Sequence, residues 1–143
     1  MRKVLIILLI LLLAFIWGHS FMSQSESRDE SRRVMEFVTP LLEFFVGKGN
    51  VTLHLVRKLA HFTEFFALGG ILALLMPFSW RGRILSASFG LLTGFLDESI
   101  QMFSDRGDQI IDVWLDYAGV LCGILVLSLV RLLVLRLKRR RQR

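Results

Sequence analysis

Residues 56–78 read VRKLAHFTEFFALGGILALLMPF. The first half of this stretch carries Arg57, Lys58, His61 and Glu64, and the remainder is apolar as far as Phe78. Leu59–Phe78 is long enough to cross a hydrocarbon core of about 30 Å at about 1.5 Å per residue. The stretch therefore reads as a membrane span with ionisable groups gathered at one end. At about 100° per residue, Arg57, His61, Glu64 and Leu68 fall within one narrow arc, so the polar groups form a stripe and not a ring. Charge in hydrocarbon is costly, and such a stripe is expected to face a bundle interior or a wet cavity.

Three further apolar segments flank this one: Val4 to about Phe21, Ile84 to about Ile100, and Val113 to Leu135. The chain is 54% hydrophobic with a mean hydropathy of +0.58, yet it carries a net charge of +6 and a pI near 10.4. Oil and base are segregated along it, unlike an ordinary soluble domain. Residues 1–143 are read as one all-α integral membrane domain, a compact bundle of four transmembrane helices plus a short amphipathic interfacial helix. The spans fall at about 4–21, 59–78, 84–100 and 113–135, with outer loops at 22–58 and 101–112 and a basic tail at 136–143. The first segment also fits a signal peptide, with Arg2 and Lys3 before an apolar core. Retention is favoured because apolar character continues through Phe21 and Met22 without a clean A-x-A site.

Basic residues in short connections set the orientation. Arg2 and Lys3, the turn with Arg81 and Arg83, and the tail Arg136–Arg143 are assigned to the cytoplasm, so both termini lie inside. The tail follows an apolar run, which marks the cytoplasmic face and anionic lipid; nucleic acid is not expected as a partner. In the first outer connection, Val34, Val38, Leu41, Leu42 and Phe45 recur at helical spacing, implying an amphipathic helix kinked or restarted at Pro40. Asn50 is read as the cap of the helix leading into span two. The lone cysteine, Cys122, lies within the last span; it excludes a disulfide framework or thiolate metal site and reads as a packing residue.

Spans three and four repeat the stripe. Gly90, Gly94, Asp97, Glu98 and Gln101 share one arc; Asp112, Asp116, Gly119 and Gly123 share another. Glycines four apart let membrane helices approach closely, so these faces are expected to point inward. Counted from the cytoplasmic ends, Glu64, Glu98 and Asp116 stand at similar depth, about 21–23 Å of helix rise. The expectation is a single polar pocket opening outward, its acids paired with Arg57, Arg106 or His61. An isolated carboxylate there would cost at least ~2.5 kcal/mol on insertion scales.

The order Arg57-Lys58-x-x-His61-x-x-Glu64, Asp97-Glu98-x-x-Gln101-x-Phe103, Arg106 and Asp112-(x)6-Gly119 resembles the VanZ-like family of small bacterial membrane proteins. Ser20, Ser23 and Ser27 after the first span look like the family's opening, so the resemblance covers nearly the whole chain. It implies motif residues at the ends of transmembrane helices, with His61, Glu64, Glu98, Gln101, Arg106 and Asp112 matching the polar motif. It also implies a link to resistance against the glycopeptide teicoplanin, with which the founding member is associated. One departure is visible: Asp116 stands where the pattern leads one to expect Asn, adding a negative charge or a cation ligand to the pocket.

Two functions compete, beside a third reading as an interaction subunit that docks a partner through its small-residue faces. The first is a noncatalytic protein of the bacterial cell membrane that binds an anionic amphiphile at the outer leaflet: a membrane lipid, a lipid-linked wall precursor or a lipoglycopeptide. Arg57, Lys58 and Arg106 would hold the head group, Arg offering the planar fork suited to phosphate or carboxylate. The second is a lipid head-group hydrolase or phosphotransferase using His61, Glu64, Glu98 and Asp112 as acid and base, or as ligands of a hard cation. No HExxH, P-loop or G-x-S-x-G motif supports it, and no cofactor or resident metal is expected.

Overall fold

The computed structural model describes residues 2–103 and 112–141. Among the described residues there are five α-helices and no strand: α1 (Arg2–Ser20), α2 (Gln24–Val46), α3 (Leu53–Leu75), α4 (Trp80–Phe103) and α5 (Asp112–Arg141). Each boundary has a local cause. Ser23 and Glu26 close a capping box on α2: the Ser23 hydroxyl accepts from the Glu26 N–H, and the Glu26 carboxylate accepts from the Ser23 N–H at 3.0 Å. α2 ends at Gly47, whose φ of +87° falls where side chains are disfavoured, and its N–H bonds the Glu43 carbonyl at 2.9 Å.

Several expectations need correction here. The polar stretch 23–33 is not an open connection but the first half of α2, because the Ser-x-x-Glu box nucleates a helix that continues through Pro40 to Val46. Pro40 lies on the exposed face, where loss of one backbone N–H is cheapest to solvate. Asn50 does not start α3: its side chain donates to the Val46 carbonyl at 2.8 Å and so closes α2. Thr52 is the cap of α3, accepting from the Leu55 N–H at 3.2 Å. α3 thus begins at Leu53, so Arg57 and Lys58 lie within the helix and not in a loop.

Three helices, α1, α3 and α5, are long and apolar enough to cross a membrane. α4 has the length, 24 residues, but its polar content holds it below the same standard, so length and composition yield three spans where four were expected. The distribution of that polarity is inside out. Ser86, Thr93, Asp97, Glu98 and Gln101 of α4 are buried, whereas Leu85, Leu92 and Phe95 are exposed.

α3 packs most extensively on α5, and α1 and α4 close around this pair. Ile16, Phe65, Leu68, Leu72, Val120 and Ile124 form the apolar core. The α3–α5 seam is set by glycine: a Cβ on Gly123 would collide with the Phe66 carbonyl oxygen, and one on Gly119 would lie 2.6 Å from that of Phe62. Gly69 meets the backbone of Val120 in the same way from the α3 side. Small residues thus bring two backbones together, as in membrane helix pairs. The pairing Phe62–Gly119, Phe66–Gly123 makes α3 and α5 parallel, and both start at one pole of the bundle, where α1 and α4 end. At the other pole Arg83 and Arg131 stack on the Phe78 ring, 4.4 and 5.1 Å from its centroid. Cys122 is exposed and does not pack in the core, because it is turned about 60° from Gly119 and about 100° from Gly123, away from the glycine seam of α5.

Candidate functional site

The polar pole gathers residues from four helices. Arg57, Lys58, His61, Glu98, Gln101, Asp112 and Asp116 line a small cavity of about 40 Å³, together with His54 and Leu115. α3 contributes the cations from its first two turns, α4 the acid and amide from its last two, and α5 the acids from its first two. Lys58 Nζ pairs with Asp112 Oδ1 at 3.0 Å, joining α3 to α5.

Asp97 lies behind this cavity, fully buried. It accepts a hydrogen bond from the Ser20 hydroxyl at the end of α1 and one from Gln101 Nε2 at 2.6 Å. The Ser20 oxygen also lies 2.9 Å from the Ile16 carbonyl, an alternative acceptor for its one hydrogen, and receives Gln101 Nε2 at 3.5 Å. His61 is the hub: its Nδ1 stands 3.9 Å from both Asp97 Oδ2 and Asp116 Oδ1. Asp116 is 1% exposed, and among the described residues neither of its carboxylate oxygens has a hydrogen-bond partner.

Glu64 is not part of this cavity. It faces a second space on the other side of α3, an apolar groove of about 590 Å³ walled by Leu12 of α1, Val34, Val38 and Leu42 of α2, and Val56 and Leu59 of α3. Between groove and cavity lies a third pocket of about 200 Å³, lined by Phe15, His19, Glu30, Arg57, His61 and Glu64 among others. Arg57 and His61 border the polar cavity and the middle pocket, and Glu64 borders the middle pocket and the groove. The three spaces are thus neighbours around α3, each sharing wall residues with the next. Arg106 lies outside the described residues.

Sequence reasoning did not include Ser20, His19, Glu30 or His54 among the site residues. His19 Nε2 and Glu30 Oε2 meet at 3.0 Å and tie α1 to α2 beside the middle pocket. Ser20 was visible only as part of the serine pattern after the first span; a polar residue at the C-terminal end of an apolar helix was the available signal.

The fold and site together define an all-α, membrane-type bundle with a charged chamber at the shared ends of its helices. A family profile, VanZ/LLP1, matches residues 5–131, and the chain belongs to that family. No match was found among curated proteins or among solved structures.

Proposed function

We propose that this chain is a multi-pass protein of the bacterial cell membrane that holds an anionic amphiphile at the outer leaflet and bears on resistance to glycopeptides such as teicoplanin. In this reading α4 is the fourth transmembrane helix, since its polar residues are turned inward and its exposed face is apolar. Both termini lie in the cytoplasm: Arg81 and Arg83 start α4, and Lys138–Arg141 end α5, all at the pole away from the chamber.

The observation that carries the reading is the succession of neighbouring spaces, from a cavity bordered by Arg57 and Lys58 to an apolar groove. Arg57 and Lys58 offer charge-assisted hydrogen bonds to a phosphate or carboxylate head group. The groove between α1, α2 and α3 offers an aliphatic surface for the attached chain, within the usual size range of small-molecule sites. A lipid, a lipid-linked wall precursor or a lipoglycopeptide has this two-part chemistry. The test substitutes Arg57→Ala and Glu64→Ala separately and compares teicoplanin with vancomycin susceptibility in cells expressing each variant. Well-expressed variants should lose protection against teicoplanin with little change for vancomycin; protection equal to the parent's defeats the proposal.

A second reading, a lipid head-group hydrolase or phosphotransferase, draws on the closeness of His61 to two buried carboxylates. Of the acids first considered for it, Glu98 and Asp112 share the cavity with His61, whereas Glu64 does not. Phosphate release from polyprenyl-phosphate substrates by purified protein separates this reading from binding alone; no turnover removes it.

A further inference from the structure

We infer that His61, Asp97 and Asp116 form a binding site for one divalent first-row cation, manganese or zinc, held between α3, α4 and α5. One ligand atom from each residue lies within 4.8 Å of the other two. Metal–ligand bonds of about 2.1 Å place adjacent ligands about 3.0–3.4 Å apart, so each 3.9 Å His–Asp separation must close by about 0.5–0.9 Å. The Asp97–Asp116 pair, within 4.8 Å, must close by up to about 1.8 Å, which calls for rotation of the Asp116 carboxylate and the imidazole.

Asp116 decides between this and a simple ion-pair cluster. Buried polar atoms are nearly always satisfied, and both Asp116 oxygens sit in the chamber, 1% exposed, without a hydrogen bond among the described residues. An imidazolium at 3.9 Å is too far to donate to either oxygen. A cation among the three residues would give Asp116 its partner and would offset two carboxylates that face each other across His61. Ligation through Nδ1 requires the neutral ring, with the remaining hydrogen on Nε2.

The surroundings resemble those of ligating groups. Asp97 is already oriented by Ser20 and Gln101, as metal-binding carboxylates are by their outer partners. The adjoining cavity of about 40 Å³ has room for water to complete the coordination, and on its wall Glu98 and Asp112 balance the charges of Arg57 and Lys58. One imidazole with two carboxylates favours manganese or zinc over calcium, which takes six to eight oxygens.

The site stands apart from the amphiphile reading, because its test uses the metal alone. Full-length protein in lipid nanodiscs, stripped by chelator and dialysed against MnCl2 or ZnCl2, is assayed for bound metal by mass spectrometry. Manganese affinity is read from the loss of the free-ion EPR signal. About one equivalent per chain is expected, with affinity reduced at least about tenfold in His61→Asn and Asp116→Asn and unchanged in Glu36→Gln, which alters an exposed acid of α2. Asp116→Asn removes one of two facing buried acids and should leave helicity intact, so it remains informative if His61→Asn fails to fold. Parental affinity in a folded Asp116→Asn variant overturns the inference, as does metal retention by the parent no greater than in both variants.

Discussion

The sharpest test of the fold is Gly123→Ala. A Cβ at position 123 collides with the Phe66 carbonyl oxygen and lies 2.9 Å from the Gly70 nitrogen and 3.0 Å from the Phe66 carbonyl carbon. All three are backbone atoms of α3, so no side-chain rotation relieves them. The milder case, Gly119, gives a measure of the displacement: its Cβ would sit 2.6 Å from the Phe62 oxygen where 3.4 Å is ordinary contact, so the helices must part by about 0.8 Å there, and by more at Gly123. Overpacking of this kind costs about 1–3 kcal/mol. Alanine also favours helix by up to ~1 kcal/mol over glycine, which obscures a single measurement. Gly18→Ala supplies the reference, because a Cβ at Gly18 of α1 meets nothing within 4 Å. The propensity gain is common to both variants, so their difference in unfolding free energy isolates the collision, and about 1–3 kcal/mol is expected. Gly94→Ala, with its Cβ 3.4 Å from that of Asp116, should behave like Gly18→Ala. Far-UV circular dichroism during unfolding in one detergent measures all three. A Gly123→Ala protein within about 0.5 kcal/mol of Gly18→Ala would refute close α3–α5 packing through glycine.

Other outcomes follow from single contacts. Ser20→Ala removes the hydroxyl that donates to buried Asp97 and should destabilise the bundle by about 1.5–3 kcal/mol in the same unfolding assay; no loss would mean that the contact is not made. A double-mutant cycle on Lys58→Ala and Asp112→Ala should return a coupling of only ~0.2–1 kcal/mol, since both side chains are partly exposed, at 36% and 24%. On a Cys122→Ala background, Lys48→Cys should label with a membrane-impermeant maleimide in intact cells, and Arg140→Cys only after permeabilisation. Equal labelling of the two would reject the proposed orientation.

The helices were legible because their signals are local. Apolar runs and the glycine pairs 90/94 and 119/123 each act over a few residues, and α1, α3, α4 and α5 follow them, although the turn expected at Arg81 and Arg83 falls at residues 76–79 and both arginines lie in the first turn of α4. The extent of α2 was missed because its first half, QSESRDESRR, buries little apolar surface and so carries no hydrophobic stripe. The signal lay instead in Ser23 and Glu26, whose spacing matches a capping box. The start of α3 was misplaced because Asn50 and Thr52 are both good caps, and only geometry shows that Asn50 bonds backward to Val46. The fourth span was harder to weigh. Composition counts the buried Asp97, Glu98 and Gln101 against α4 just as it would count exposed charges, and only the packing shows which way they face.

The site shows a different boundary. Depth along a helix is readable from residue counts, and it put Glu64, Glu98 and Asp116 at one level. Azimuth is not readable to the same accuracy. At about 100° per residue, His61 and Glu64 lie only about 60° apart on α3, inside one arc by any sequence criterion. Yet α3 carries α5 and α4 on one side and α2 on the other, so those 60° turn His61 toward Asp97 and Asp116 and Glu64 toward the groove. The same argument gives Asp116 its weight. An Asn, the residue anticipated there from the family pattern, would bring N–H donors that could face Asp97 or Glu98. A carboxylate brings acceptors only. This chain has placed a second buried acid beside His61, where it needs a proton or a cation, and the metal-binding experiment on Asp116→Asn asks which of the two it takes.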